Sequence, residues 1–173
     1  MLSTQLAAAH AMSPLDLCAY ISQQHYEPVC ELMQQLQKLV EEGKYHAREY
    51  DAISMSALLF MTLKDEMDQV IRNDKLILFP LIGQLANNND AELRHFPVKM
   101  IQKKNQKIVA LLERLRASAH NFIVKSEWEE ETRNFFEQLF VLHEMISQSI
   151  YLKENILLPA MAVHLRSEMR EPE

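Results

Sequence analysis

Apolar residues recur in steps of three and four along four separate stretches of this chain, the signature of long amphipathic helices. The first stretch carries Cys18, Ile21, His25, Val29, Leu32, Leu36 and Leu39. The second carries Leu59, Leu63, Glu66, Val70, Asp74, Ile77 and Leu81, and the third Ile101, Asn105, Ile108, Leu112, Leu115 and Ala119. The fourth runs Phe135, Leu139, Leu142, Ile146, Ser149, Lys153, Ile156, Ala160 and Val163. Only 2 of 173 residues are glycine, which leaves little for the tight turns of a sheet.

The punctuation agrees with helices. Ser13-Pro14-Leu15-Asp16 opens the first, with a capping serine, a proline for the first turn and an acid behind it. Pro28 falls inside the pattern, where it kinks the helix or interrupts its hydrogen bonds, and Gly43 closes it. The second helix is expected from about Ser54 to Leu85, followed by the turn-prone stretch "ANNND". The third is expected from near Pro97, capped from His95, to about His120. The fourth is expected after Ser126, with Glu129 completing a capping box. Four long helices with short connections predict an all-α, up-down-up-down four-helix bundle. The length suits a single domain over 1–173, its core about 13–165.

Composition narrows the function classes. The net charge is −6, and the one basic cluster, Lys99 to Lys104, is spread around its helix, so nucleic acid is not an expected partner. No apolar run approaches a membrane span, and "MLSTQLAAAHAM" lacks a signal peptide's features, so a cytoplasmic protein is expected. Cys18 and Cys30 are twelve residues apart on one helix. That is about 18 Å, too far for a disulfide. No nucleophile–base pair, phosphate loop or Cys-x-x-Cys stands out, so catalysis is not expected.

The polar residues on the apolar rows carry more information. His25, Glu66, Asp74, Asn105, Ser149 and Lys153 each interrupt an inward stripe. An unpartnered buried polar group costs about 1–3 kcal/mol, so their clustering at matching positions points to one interior pocket. The chain also repeats itself. "DKLILFP" (Asp74 to Pro80) returns as "KENILLP" (Lys153 to Pro159), with the first charge reversed. His25 to Val70 spans 45 positions and Asn105 to Ser149 spans 44, so the two halves are expected to be matching helix pairs.

These segments resemble the hemerythrin-like (HHE) domain family, nearest to the di-iron proteins that repair iron–sulfur clusters. "IRNDKLILFPLI" and "IYLKENILLPAM" resemble the two segments in which His-x-x-x-Glu precedes an apolar triplet and proline. "HFPVKMIQKKNQKIVALLERLR" resembles the family's third-helix segment. The resemblance spans about Leu15 to Val163 and implies a bundle built around an iron pair. A histidine and a carboxylate four apart share one helix face and reach one point in the core. Carried over, the first-helix histidine is His25, but the second-helix histidine falls on Val70, with Asp74 as its carboxylate. The third-helix histidine falls on Asn105, and the Glu before it on Lys104. The fourth-helix histidine falls on Ser149, and its carboxylate on Lys153.

The expectation is therefore a remnant pocket of His25, Glu66, Val70, Asp74, Asn105, Ser149 and Lys153 in which Asp74 and Lys153 form an ion pair in place of metal. No cofactor is expected, and the function implied is a non-catalytic regulatory or interaction module that forms a homodimer or binds a protein partner. The alternative is one iron or zinc ion on His25, Asp74 and Glu66 or His143, serving oxygen or nitric oxide response or iron–sulfur repair. A third reading, a small-molecule pocket, requires a cavity of some hundreds of Å3. His10, His46, His95, His120 and His164 fit surface or capping roles, and the 10 methionines fit core filling.

Overall fold

A computed structural model of the chain describes residues 8–42, 50–87 and 98–161. Among these the secondary structure is helical, with no strand. Helix α1 (Pro14–Ile21) starts as its sequence predicts: the Ser13 side chain accepts from the Asp16 N–H at 3.1 Å. It runs through a five-residue π-helical turn, π1 (Ser22–Tyr26), into α2 (Glu27–Glu41). Helix α3 (Tyr50–Asn73) begins before Ser54 and passes through π2 (Asp74–Leu78) into α4 (Phe79–Asn87). Helix α5 spans Val98–Ser118, and α6 (Glu130–Leu152) passes into π3 (Lys153–Leu157). Along their lengths α3 packs on α5 and α2 on α6, while α1 meets α4 and π3. His95, Pro97, Gly43 and Val163 lie outside the described residues.

The three π-turns have one cause. A proline has no N–H, and its ring collides with the carbonyl four residues back. In each case the residue just before the proline donates five back instead of four: Glu27 to the Ser22 carbonyl, Phe79 to Asp74, and Leu158 to Lys153. Pro28, Pro80 and Pro159 follow directly. The wider turn takes in one extra residue and relieves the clash.

That extra residue rotates the inward face. Ahead of π1 the buried positions are Leu17, Cys18 and Ile21; from its last residue onward they are Tyr26, Val29, Met33 and Leu36. The step from Ile21 to the next inward residue is five, so Tyr26 takes the core position expected for His25. The same slip follows Asp74, where Leu78 and Ile82 are buried instead of Ile77 and Leu81. After Lys153 the slip is partial: Ile156 is buried as expected, while Leu157 and Met161 also enter the core and Ala160 is half-buried. Helix α5 has no such turn, and its stripe of Ile101, Asn105, Ile108, Leu112 and Leu115 is buried as expected.

Two connections depart from expectation. The capping box at Ser126 does not form: α6 starts at Glu130, Glu129 is its N-cap without a side-chain bond, and Ser126 sits in the preceding turn. Trp128 instead packs on Phe136, ring centroids 4.9 Å apart, which holds the incoming chain away from the helix axis. After α5, His120, Asn121 and Phe122 form a short turn with φ of 49°, 57° and 60°, left-handed at three non-glycine residues. Arg116 Nε donates to Asn121 Oδ1 at 3.1 Å, and Phe122 meets Phe140 and His143 edge-on, which holds the strained turn in place.

Candidate functional site

Each π-turn contributes one polar side chain to a shared interior cluster. Asp74 opens π2 and Lys153 opens π3, and they are 5% and 1% exposed. Lys153 Nζ lies 2.7 Å from Asp74 Oδ2. Tyr26, the last residue of π1, donates its hydroxyl to the same Oδ2 at 2.5 Å. The Lys153 ammonium also stands 5.8 Å from the centre of the Tyr26 ring, within range of a cation–π attraction. A buried carboxylate thus meets a full positive charge and a phenol donor, the compensation a charge needs in a low-dielectric interior.

The electrostatics follow from burial and from the Asp74 charge. Burial, then the nearby carboxylate and its hydrogen bond, push the Tyr26 phenol well above its usual range. Burial, and then the same carboxylate, push the Cys18 thiol up to about 12. Both groups stay protonated at neutral pH. The cluster holds charges without offering a free nucleophile, since its thiol is neutral and its ammonium is paired. Cys18 and Cys30 are both free thiols.

The remaining pocket residues fall in different places. Val70 is buried and lines a cleft together with Asp74 and Lys153. Asn105 is also buried in that lining; its Nδ2 donates to Glu154 Oε1 at 3.1 Å, while its Oδ1 has no partner among the described residues. Ser149 is buried but turns back on its own helix, donating to the Ile146 carbonyl at 2.8 Å. Glu66 reaches across to Lys107 at 2.6 Å in a partly exposed salt bridge, and Met67 takes the buried position beside it. His25 is half-buried, edge-on to Tyr20 at 5.4 Å, and its shielded Nε2 has no hydrogen-bond partner among the described residues. Burial lowers the pKa of its ring. His143 stands against Phe122 and contacts Glu144 at 3.2 Å.

Sequence reasoning named the ion pair and missed Tyr26. The only signal was the placing of the prolines: Pro28, Pro80 and Pro159 each fall inside a helical pattern, and the residue two before each, Tyr26, Leu78 or Leu157, is buried. Among the described residues no three His, Cys, Asp or Glu side chains converge as a metal cage. The cleft over the pair has a volume of about 80 Å3, well short of the hundreds of Å3 that a drug-sized ligand fills.

No protein-family model matches this chain, and no curated protein matches it. No helix among the described residues is long and apolar enough to cross a membrane.

Proposed function

We propose that this chain is a hemerythrin-like, up-down-up-down four-helix bundle whose di-iron centre has been replaced by an interior ion pair. We propose further that it serves in the cytoplasm as a non-catalytic regulatory or protein-interaction module, as a homodimer or with a protein partner. One observation carries the reading: Asp74 and Lys153, at the same place in two copies of one phrase, meet at 2.7 Å in the core. In the resembling family both positions belong to metal-bridging carboxylates. An ammonium there repels a cation, and Val70 offers no donor atom. The residues present do not fit an iron pair. With a paired ammonium and protonated phenol inside, the surface is left to carry the function.

The competing reading, an iron or zinc protein with altered ligation, draws on Nε2 of His25, which has no partner among the described residues. Metal content and an absorption spectrum, taken on untagged protein purified without chelator, separate the two. The ion-pair reading expects less than about a tenth of an equivalent of any transition metal. About one or two equivalents of iron, lost in His25→Ala, would overturn it. Sedimentation of the same sample at several concentrations tests for the homodimer.

A further inference from the structure

Two exposed faces of this molecule have opposite charge, and each has apolar side chains among its charges. The first surrounds the cleft that Val70, Ile77, Leu81 and Met100 help to line. That lining is almost wholly apolar, yet Ile77 and Met100 remain 59% and 53% exposed, and Leu76 beside Ile77 is 70% exposed. Contiguous apolar surface of this kind marks a place where another molecule sits. Helix α5, which supplies Met100, carries six lysines and arginines against one glutamate, so this face is basic. Lys99 and Lys103, on either side of Met100, are exposed and have no ion-pair partner among the described residues.

Helix α6 reverses the sign, with four glutamates against one arginine. Glu130, Glu137 and Glu144 recur every seven residues, which puts all three on one exposed side of the helix. Phe140 and Val141 stand between the last two and remain 49% and 47% exposed. Glu137 has no ion-pair partner among the described residues, and Glu144 has the His143 ring at 3.2 Å.

The faces agree in size as well as in sign. Glu137 and Glu144 are about 10 Å apart along their helix and Lys99 and Lys103 about 6 Å, a difference that flexible lysine stems cover. The cleft, at about 80 Å3, has room for roughly one phenylalanine side chain. A polyanion such as nucleic acid answers the lysines and leaves the apolar mouth uncovered. An acidic helix with apolar residues between its charges answers both, and this chain carries one.

We propose that the two faces dock on each other between copies of this chain. Phe140 and Val141 of one copy cover the cleft mouth at Ile77 and Met100 of the next, with Glu137 and Glu144 beside Lys99 and Lys103. Each copy has one face of each kind. Two such contacts within one pair give a closed dimer, and a contact that does not close adds further copies. This docking deepens the reading of the chain as an interaction module and rests on it; it does not depend on the hemerythrin likeness.

The test is sedimentation equilibrium of the full chain and of two variants, alone and mixed, at concentrations up to about 1 mM. Glu137→Lys with Glu144→Lys spoils the acidic face, and Ile77→Ala with Lys103→Ala spoils the cleft face. All four positions are exposed, and thermal midpoints close to that of wild type check that both variants fold. Lys99→Gln with Lys103→Gln serves as a second cleft-face variant that leaves the apolar residues in place. The wild type is expected to associate, and more weakly as salt is raised. Each variant alone is expected to associate at least about tenfold more weakly. Mixed one to one, the two variants hold one intact face each, so a one-to-one pair returns and nothing larger. A wild type that stays monomeric over the whole range would overturn the proposal and leave the faces to a different protein, with the interaction reading still standing. Association that persists in either variant alone, or a mixture no more associated than its parts, would overturn it as well. Metal content decides the ion-pair reading separately.

Discussion

Lys153 and Asp74 are 79 residues apart in sequence, and their side chains meet at 2.7 Å in the interior, both on the first residue of a π-helical turn. Each is an ion that a core does not tolerate alone. Lys153→Met removes one partner and strands the other, a loss of about 3–5 kcal/mol. Removing both together in Asp74→Leu with Lys153→Met leaves no stranded charge, so most of that stability is expected to return. Urea melts of the single and double variants check this. Equal, small losses in all of them would show that the charges are not buried against each other.

Tyr26 is the third member, and its hydroxyl shares Oδ2 of Asp74 with the ammonium. Tyr26→Phe keeps the ring and its packing on Phe79, whose centroid is 6.1 Å away, and deletes only the donor. A hydrogen bond to a charged group is worth about 1.5–3 kcal/mol, which is the loss expected in the wild-type background. In the Asp74→Leu, Lys153→Met background the same change is expected to have almost no effect. A double-mutant cycle on melting free energies measures that coupling, and additive losses would exclude it.

The Cys18 thiol ionises near 9.0 without its surroundings and at about 12 in the fold, through burial first and the Asp74 charge second. The folded state holds this proton more tightly than the unfolded chain does. Its contribution is therefore complete below pH 9 and is lost as the pH rises toward 12. The loss approaches about 1.4 kcal/mol per pH unit within that window. Tyr26, raised above its usual 10.0, steepens the loss at the alkaline end. In Cys18→Ala, urea melts between pH 9 and 10 should show a flatter decline than wild type. Thiol labelling of the native protein is expected to reach half-buried Cys30 well before buried Cys18.

The left-handed turn at His120, Asn121 and Phe122 offers a stability gain. A left-handed conformation costs a residue with a Cβ roughly 1–2 kcal/mol, whereas glycine adopts it freely. His120 has φ of 49° and an exposed side chain, so His120→Gly relieves strain without emptying the core. A net gain of about 0.5–1 kcal/mol is expected after the entropy of the added glycine in the unfolded chain. A rise in thermal midpoint shows it; an unchanged or lower midpoint would mean that the His120 side chain contributes more than its backbone costs.

The helices were legible in the sequence because each carries a stripe with a period close to 3.6, and only a helix gives that stripe one side. Helix α5, with no internal proline, has the inward face that its spacing implies, down to Asn105. The buried ion pair was legible as well, because Asp74 and Lys153 lie on the stripe ahead of the point where each helix changes its winding. What the sequence hid was everything just beyond that point. A constant period carries the eye from Ile21 to His25, from Asp74 to Ile77 and from Lys153 to Ala160, while the extra residue in each π-turn moves the inward face on to Tyr26, Leu78 and Met161. Glu66 was lost to a different cause, a lysine on the neighbouring helix at 2.6 Å, which no pattern within one helix reveals. The chain by itself determined where helices run and which of its charges face inward, since those depend on neighbours three and four residues away. Which atoms those charges meet was decided only in the tertiary structure. There three prolines widen three turns and bring Tyr26, Asp74 and Lys153 together from distant parts of the sequence.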